Sequence, residues 1–204
     1  QPLPMHEPRF KFGMGLGYAI SPTGADHMHN MHDTAFESEL GMGSLMQYGI
    51  LEPLPAQDLS PAKVRMLYHH TMTQTLKNMV GVCHFLPYSP NMVTDIVKAV
   101  TGWDTSLFEL FKAAERGWAL ARAFNAREGF TAEDDKLPDR FFEAFTSGPL
   151  EGVAHDRYQF EQAVDTYYQM AGWDSVTGAP TRAKCVELDL DWVADQMSKL
   201  ELVS

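Results

Sequence analysis

The sequence predicts an all-α, multihelical protein with an irregular, loop-rich first third. Three observations carry this. From Ser60 onward, apolar residues recur at spacings of three and four, the period of a helix with one buried face. Ser-Pro pairs stand where those runs begin and glycines where they stop, the usual chemistry of helix starts and ends. No run of useful length shows the strict alternation of a half-buried strand.

Residues 1–59 come first and hold no periodic run. They contain alternating glycines in "GMGLG", a histidine-rich stretch "ADHMHNMHD", a second "GMGS" and the proline-rich "LEPLPAQDLSP". About sixty residues without structure of their own are unusual in a compact domain. The segment is therefore expected to wrap a missing domain or to carry a site, and on its own to pack poorly or expose apolar surface. A dinucleotide fingerprint is not implied by "GMGLG", since it requires a strand before it and a helix after it.

The helical region, residues 60–204, is read in order. Ser60 is an N-cap and Pro61 the first helical residue, and Val64, Tyr68, Met72, Leu76, Met79 and Cys83 follow as one apolar stripe. Ser89, Pro90 and Gly102 frame a second helix in the same way. Leu107, Leu110, Phe111, Ala114, Trp118, Ala121 and Phe124 form the face of a third, closed by Gly129. Shorter helices are expected around 138–145, 156–171, 181–188 and 190–200. The stretch "GWDSVTGAPT" is the turn before the penultimate one.

Composition narrows the function. Hydrophobic residues make up 45% and charged residues 21%, as in globular proteins rather than disordered ones. Net charge is −11, from 27 acidic and 16 basic residues, and no basic cluster stands out. Nucleic acid and anionic membranes are therefore not expected partners. Two cysteines form no disulfide framework and point to a reducing, cytoplasmic setting. No apolar run approaches the ~20 residues that span a bilayer. The N-terminus, "QPLPMHEPRF", has neither a Met start nor a signal-peptide core, and reads as a cut edge of a longer protein.

The histidine cluster admits several readings. His27, His29 and His32 lie within six residues, beside Asp26 and Asp33. Their pattern is close to the His-x-His-x-Asp-His stretch of metallo-β-lactamase-like zinc hydrolases, where imidazoles converge on zinc. Met31, however, stands where that motif carries a carboxylate, and the required two β-sheets are not predicted. A solvated loop without a ligand, within a non-catalytic helical interaction domain, is the plain alternative. A loop facing a bound cofactor is the third.

The third reading gains from a family resemblance. "PMHEPR", "GLGYAISPTGADHM", "MVGVCHF", "TGWD", "AERGWALARAFNAREGFTAEDDKLPDRFFE" and "YYQMAGWDSVTGAPT" occur in this order along nearly the whole chain. Together they resemble the C-terminal, helical part of the aldehyde:ferredoxin oxidoreductases, tungsten or molybdenum bis-pterin enzymes. The resemblance implies a separate N-terminal domain that holds two pterins. It also implies a [4Fe–4S] cluster that passes electrons to ferredoxin, and oxidation of a small aldehyde to a carboxylic acid. Three cluster cysteines would lie upstream, so this chain alone is expected to carry no cofactor.

The resemblance also assigns residues. A motif similar to Asp-x-x-Gly-Leu-Cys reads here Asn78-Met79-Val80-Gly81-Val82-Cys83. Cys83 then matches the fourth cluster ligand, and a thiolate there needs a protected, apolar surrounding. Asn78 replaces an aspartate that accepts hydrogen bonds from pterin N–H groups; an uncharged amide accepts more weakly. Gly81, Val82 and His84 fall along the same pterin-facing turn. His27 falls where the family keeps a histidine beside the metal, suited by its near-neutral pKa to proton transfer. His6 falls where relatives carry tyrosine, a substrate-pocket position. His29 and His32 match no site and are read as loop or pocket wall, while Cys185 is read as structural. His69 and His70 receive no role.

Overall fold

The computed structural model describes residues 5–202. Seven α-helices account for its regular structure: α1 (Phe12–Ile20), α2 (Pro61–Val80), α3 (Pro90–Thr101), α4 (Leu107–Arg127), α5 (Arg157–Ala171), α6 (Arg182–Glu187) and α7 (Asp191–Lys199). Two isolated β-bridges are the only strand-like pairings among the described residues. The all-α expectation holds.

The caps explain where the helices sit. Ser60 Oγ accepts from the Lys63 N–H with Pro61 behind it, and Ser89 repeats the arrangement with Met92 and Pro90. Ser106 and Glu109 form a reciprocal capping box at the start of α4. Gly81 and Gly102 close α2 and α3 in the left-handed region, at φ +73° and +74°.

Helix α2 is the axis of the molecule and packs against α1, α3, α4 and α5. Its Val64, Tyr68, Met72 and Leu76 are buried as the stripe predicts, but Met79 is 53% exposed and Cys83 lies exposed beyond the helix end. On α4, Leu110, Ala114 and Trp118 are buried, whereas Phe124 faces outward. There the inner face passes instead to Ala119, Ala123 and Ala126, which meet α6 and α7 in a second small core around Cys185. The buried Cys185 is structural, as read.

Two expectations are overturned. The segment around 138–145 forms only a 3-10 turn, Asp139–Phe142. Arg9 explains part of this: its guanidinium donates to the Arg140 and Glu143 carbonyls, 3.2 and 3.0 Å away, and lies 3.5 Å over the Phe145 ring. Carbonyls held by a distant side chain do not feed a helical ladder.

The larger correction concerns residues 1–59. They do not pack poorly: Met14, Leu16, Ile20, Met31, Met42 and Leu45 are almost completely buried, in the same core as α2 and α5, while Met5, Leu40, Met46 and Leu51 are exposed, as the other arm of that expectation has it. "FGMGLGYAI" is itself a helix, α1, with every residue buried. It is apolar all round, so it has no amphipathic signature. Its glycines also lower helix propensity by about 1 kcal/mol each. Close approach is what they allow. A Cβ on Gly17 would lie 1.6 Å from Asn30 Oδ1, and one on Gly13 would lie 2.6 Å from Asp33 Oδ1.

Asp33 does for α1 what a local cap does elsewhere. Its carboxylate accepts from the Gly13 and Met14 N–H groups at 3.0 and 2.9 Å and from Lys63 Nζ at 3.1 Å. Asp33 and Lys63 are both fully buried. Removing one partner of such a pair costs about 3–5 kcal/mol, because the other charge stays buried alone. One carboxylate thus ties α1, the histidine loop and α2 together.

Candidate functional site: a histidine-lined pocket

The loop between α1 and the first 3-10 turn, pinned by Asn30 and Asp33, presents its histidines to a cleft of about 380 Å³. His6, His27, His32, His70 and His84 line it, with Gln74, Phe36 and Phe85 among their neighbours and no carboxylate. His6, His27 and His32 form a triangle of rings edge to face. Their centroids are 4.8 Å (His6–His32), 5.3 Å (His6–His27) and 6.0 Å (His27–His32) apart. His70 enters from α2, and His84 from the turn after Cys83.

Four of the pocket's five imidazoles, those of His6, His32, His70 and His84, are held toward the neutral form. Burial, then Lys11 and the neighbouring rings, hold His32 down to about 4; Lys11 Nζ is 3.1 Å from its Nδ1. Burial, then Lys77, holds His70 near 3. His6 and His84 are also lowered, by burial first and then by Lys11 and Lys77 respectively. Neutral rings at neutral pH are proton acceptors, the state a general base requires.

His29 turns away from this group. Its ring lies 5.7 Å from Trp118; Nδ1 is 2.7 Å from Asp26 Oδ2 and Nε2 meets the Asn78 amide. Both ring nitrogens are engaged, so His27, His29 and His32 do not offer zinc three converging lone pairs. Among the described residues, no group of three His, Cys, Asp or Glu side chains is placed to hold a metal ion.

The Cys83 turn borders the pocket. Cys83 carries a free, exposed thiol. A Cβ on Gly81 would meet nothing within 4 Å, so its glycine answers to the left-handed turn and the space beside it is open. Asn78 bonds His29 on one side and His84 on the other. Phe85 is 87% exposed, and Met79 and Leu86 are exposed beside it.

The longest resembling segment, residues 114–143, lies elsewhere. Its Arg122 donates to Asp135, Tyr168 and the Gly178 carbonyl, at 2.9, 2.7 and 2.6 Å. These groups satisfy one another and bolt the 132–138 loop onto α4 and α5. Sequence reading missed His70, but a signal existed: His70, Gln74 and Asn78 recur every four residues, a polar line on α2 running toward Cys83.

Comparison with known proteins identifies the family. The family model "Aldehyde ferredoxin oxidoreductase, domains 2 & 3" matches residues 1–190. The tungsten-containing aldehyde ferredoxin oxidoreductase of Thermococcus kodakarensis is 31% identical over 192 residues, covering 92% of this chain and 29% of that protein. The Pyrococcus furiosus protein of the same name is 30% identical over 175 residues, covering 84% and 27%. Among solved structures, the active-site complex BamBC of benzoyl coenzyme A reductase, bound to 1,5-dienoyl-CoA, superposes with a TM-score of 0.71 at 20% identity. It covers 99% of this chain and 33% of that one, a likeness of fold. The chain thus spans less than a third of the length of the curated relatives it matches. No described helix is long and apolar enough to cross a membrane.

Proposed function

Because this chain belongs to the aldehyde ferredoxin oxidoreductase family, over that family's second and third domains, we propose that it is the helical C-terminal part of an enzyme that converts a small aldehyde and water to a carboxylic acid, two protons and two electrons. The observation that carries the reading is one pocket in which His27, His6 and His32 stand beside the Cys83 turn. Residues 1–59 carry His6, His27 and His32 to the site, and the helical domain, residues 60–204, adds His70, His84 and the Cys83 turn. Its partners are an N-terminal pterin-binding domain of the same protein, ferredoxin and the aldehyde, in the cytoplasm.

The residues fit that role in part. Cys83 is a free thiol on an open turn, as a ligand to a cluster completed by another domain requires. Cys185 is buried in the second core, so this chain supplies one thiolate of four. When bound, a tungsten- or molybdenum-bis-pterin and a [4Fe–4S] cluster supply the two-electron oxidation and the electron exit. Gly81, Val82 and His84 border the place the pterin would take. Asn78 fits less well, since His29 and His84 already engage half of its hydrogen-bonding capacity.

This chain's own part is proton handling. His27 takes the proton released as water adds to the aldehyde carbonyl. His6, packed against it, orients the ring and walls the substrate. The first test is iron. In the longer enzyme, Cys83→Ala is expected to lower bound iron and remove the reduced-cluster spin signal. Full iron content in that variant would sink the ligand assignment.

A further inference from the structure

Four side chains form a hydrogen-bonded line that ends at His84, in the wall of the histidine pocket. Asp26 Oδ2 meets His29 Nδ1, His29 Nε2 meets Asn78 Nδ2, and Asn78 Oδ1 meets His84 Nε2. Asp26 is fixed at its end, since its other oxygen accepts from the Met28 backbone N–H at 2.8 Å. An ionised carboxylate accepts and cannot donate, so the polarity of the line is set from that end. His29 gives its Nδ1–H to Asp26, and because the Asn78 NH₂ faces its Nε2, that nitrogen holds a lone pair. That lone pair accepts from the Asn78 NH₂. The Asn78 carbonyl oxygen then faces His84 and accepts from Nε2–H. A neutral His84 is left with its lone pair on Nδ1.

Asparagine suits position 78 for a stated reason. It carries a donor and an acceptor on one planar group and can therefore join two imidazoles. An aspartate there would confront the His29 lone pair with a second acceptor.

We propose that Asp26, His29 and Asn78 are positioning residues that hold His84 as the Nε2–H tautomer, so that the pocket wall next to Cys83 presents an Nδ1 acceptor and takes a ligand group that donates N–H or O–H. Among the described residues no protein group is hydrogen-bonded to that Nδ1. The inference rests on the reading above only in treating this pocket as the site, where the donor would be a ring N–H of the pterin. The tautomers themselves follow from the line of hydrogen bonds.

The test is tautomer assignment by long-range ¹H–¹⁵N correlation on ¹⁵N-histidine-labelled chain at one fixed pH near 8. The expected result is His29 as Nδ1–H, the minor form of a free imidazole, and His84 as Nε2–H. In Asp26→Ala, His29 is free to carry its proton on Nε2 and donate to Asn78. The amide then turns, and His84 moves its proton to Nδ1 although it never touches residue 26. The double variant Asp26→Ala with Asn78→Ala is expected to abolish that transmitted change. Where Asp26→Ala fails to fold, Asn78→Asp serves instead: His84 keeps Nε2–H while His29, now between two carboxylates, gains a second proton.

A His84 tautomer indifferent to Asp26, or one that responds equally without Asn78, would overturn the inference. So would wild-type His29 carrying its proton on Nε2. Those outcomes leave the Cys83 and His27 assignments standing. Loss of those assignments in the holoenzyme leaves the tautomers as they are.

Discussion

Replacing His27 by alanine removes one of three imidazoles that meet edge to face, and leaves the Cys83 turn untouched. In the longer enzyme, the expected outcome is a fall in kcat of roughly 10²–10⁴-fold, the range for a general acid–base group, with iron and metal contents unchanged. Steady-state aldehyde oxidation beside metal analysis checks this; wild-type turnover would end the assignment. That His27 and the turn after Cys83 come to one pocket was legible because each sits in a motif with neighbours in fixed order. His70 was not. It stands in an amphipathic helix beside His69, and only the fold shows that one ring lines the pocket while the other bonds the Arg65 carbonyl. His29 shows the converse. Adjacency placed it with His27 and His32, but local backbone direction sends its ring to Asp26 and Trp118.

At the scale of the element, α1 decides whether the histidine loop is held. Gly17→Ala puts a methyl group where Asn30 Oδ1 lies, in a helix with no exposed face to relax toward. Overpacking of this kind costs about 1–3 kcal/mol. Here it also displaces the residue whose amide donates to the Asp26 carbonyl at 2.7 Å. Gly43→Ala is the control, since a Cβ there meets nothing within 4 Å. Urea denaturation is expected to show a lower midpoint for Gly17→Ala and little change for Gly43→Ala. Equal midpoints would mean that the loop does not depend on this contact. The helices from α2 onward were legible in the sequence because cap, stripe and stop agree. Helix α1 was not, because burial on all sides erases the periodicity from which a helix is read and its cap, Asp33, lies twenty residues downstream of Gly13.

Across the whole molecule, buried neutral histidines make stability depend on pH. His70 is held near 3 by burial, then by Lys77, and His155 near 4 by burial among Phe12, Phe142 and Phe160. Both lie below the unfolded value of about 6.5, so the unfolded chain binds more protons between that value and 4. Stability is therefore whole above about pH 6.5 and falls as pH drops toward 4, by ~1.4 kcal/mol per pH unit for each histidine. Denaturation midpoints between pH 6 and 4.5 measure the slope. His155→Gln is expected to lessen it by about one proton's share, and an unchanged slope would show that His155 does not stay neutral. The same scale bears on activity. The turn beside the pocket carries an exposed thiol, and Phe85, Leu86 and Met79, close to it in sequence, are exposed as well. One cysteine cannot replace the four thiolates of a cluster. The 204-residue chain is therefore expected to bind no iron and to reduce no dye with an aldehyde. Joined to the pterin-binding domain of a relative, it is expected to regain both. Aldehyde-dependent dye reduction by the chain alone would show that the chemistry lies within these helices, and would remove the reason for assigning the cluster and pterin to a further domain.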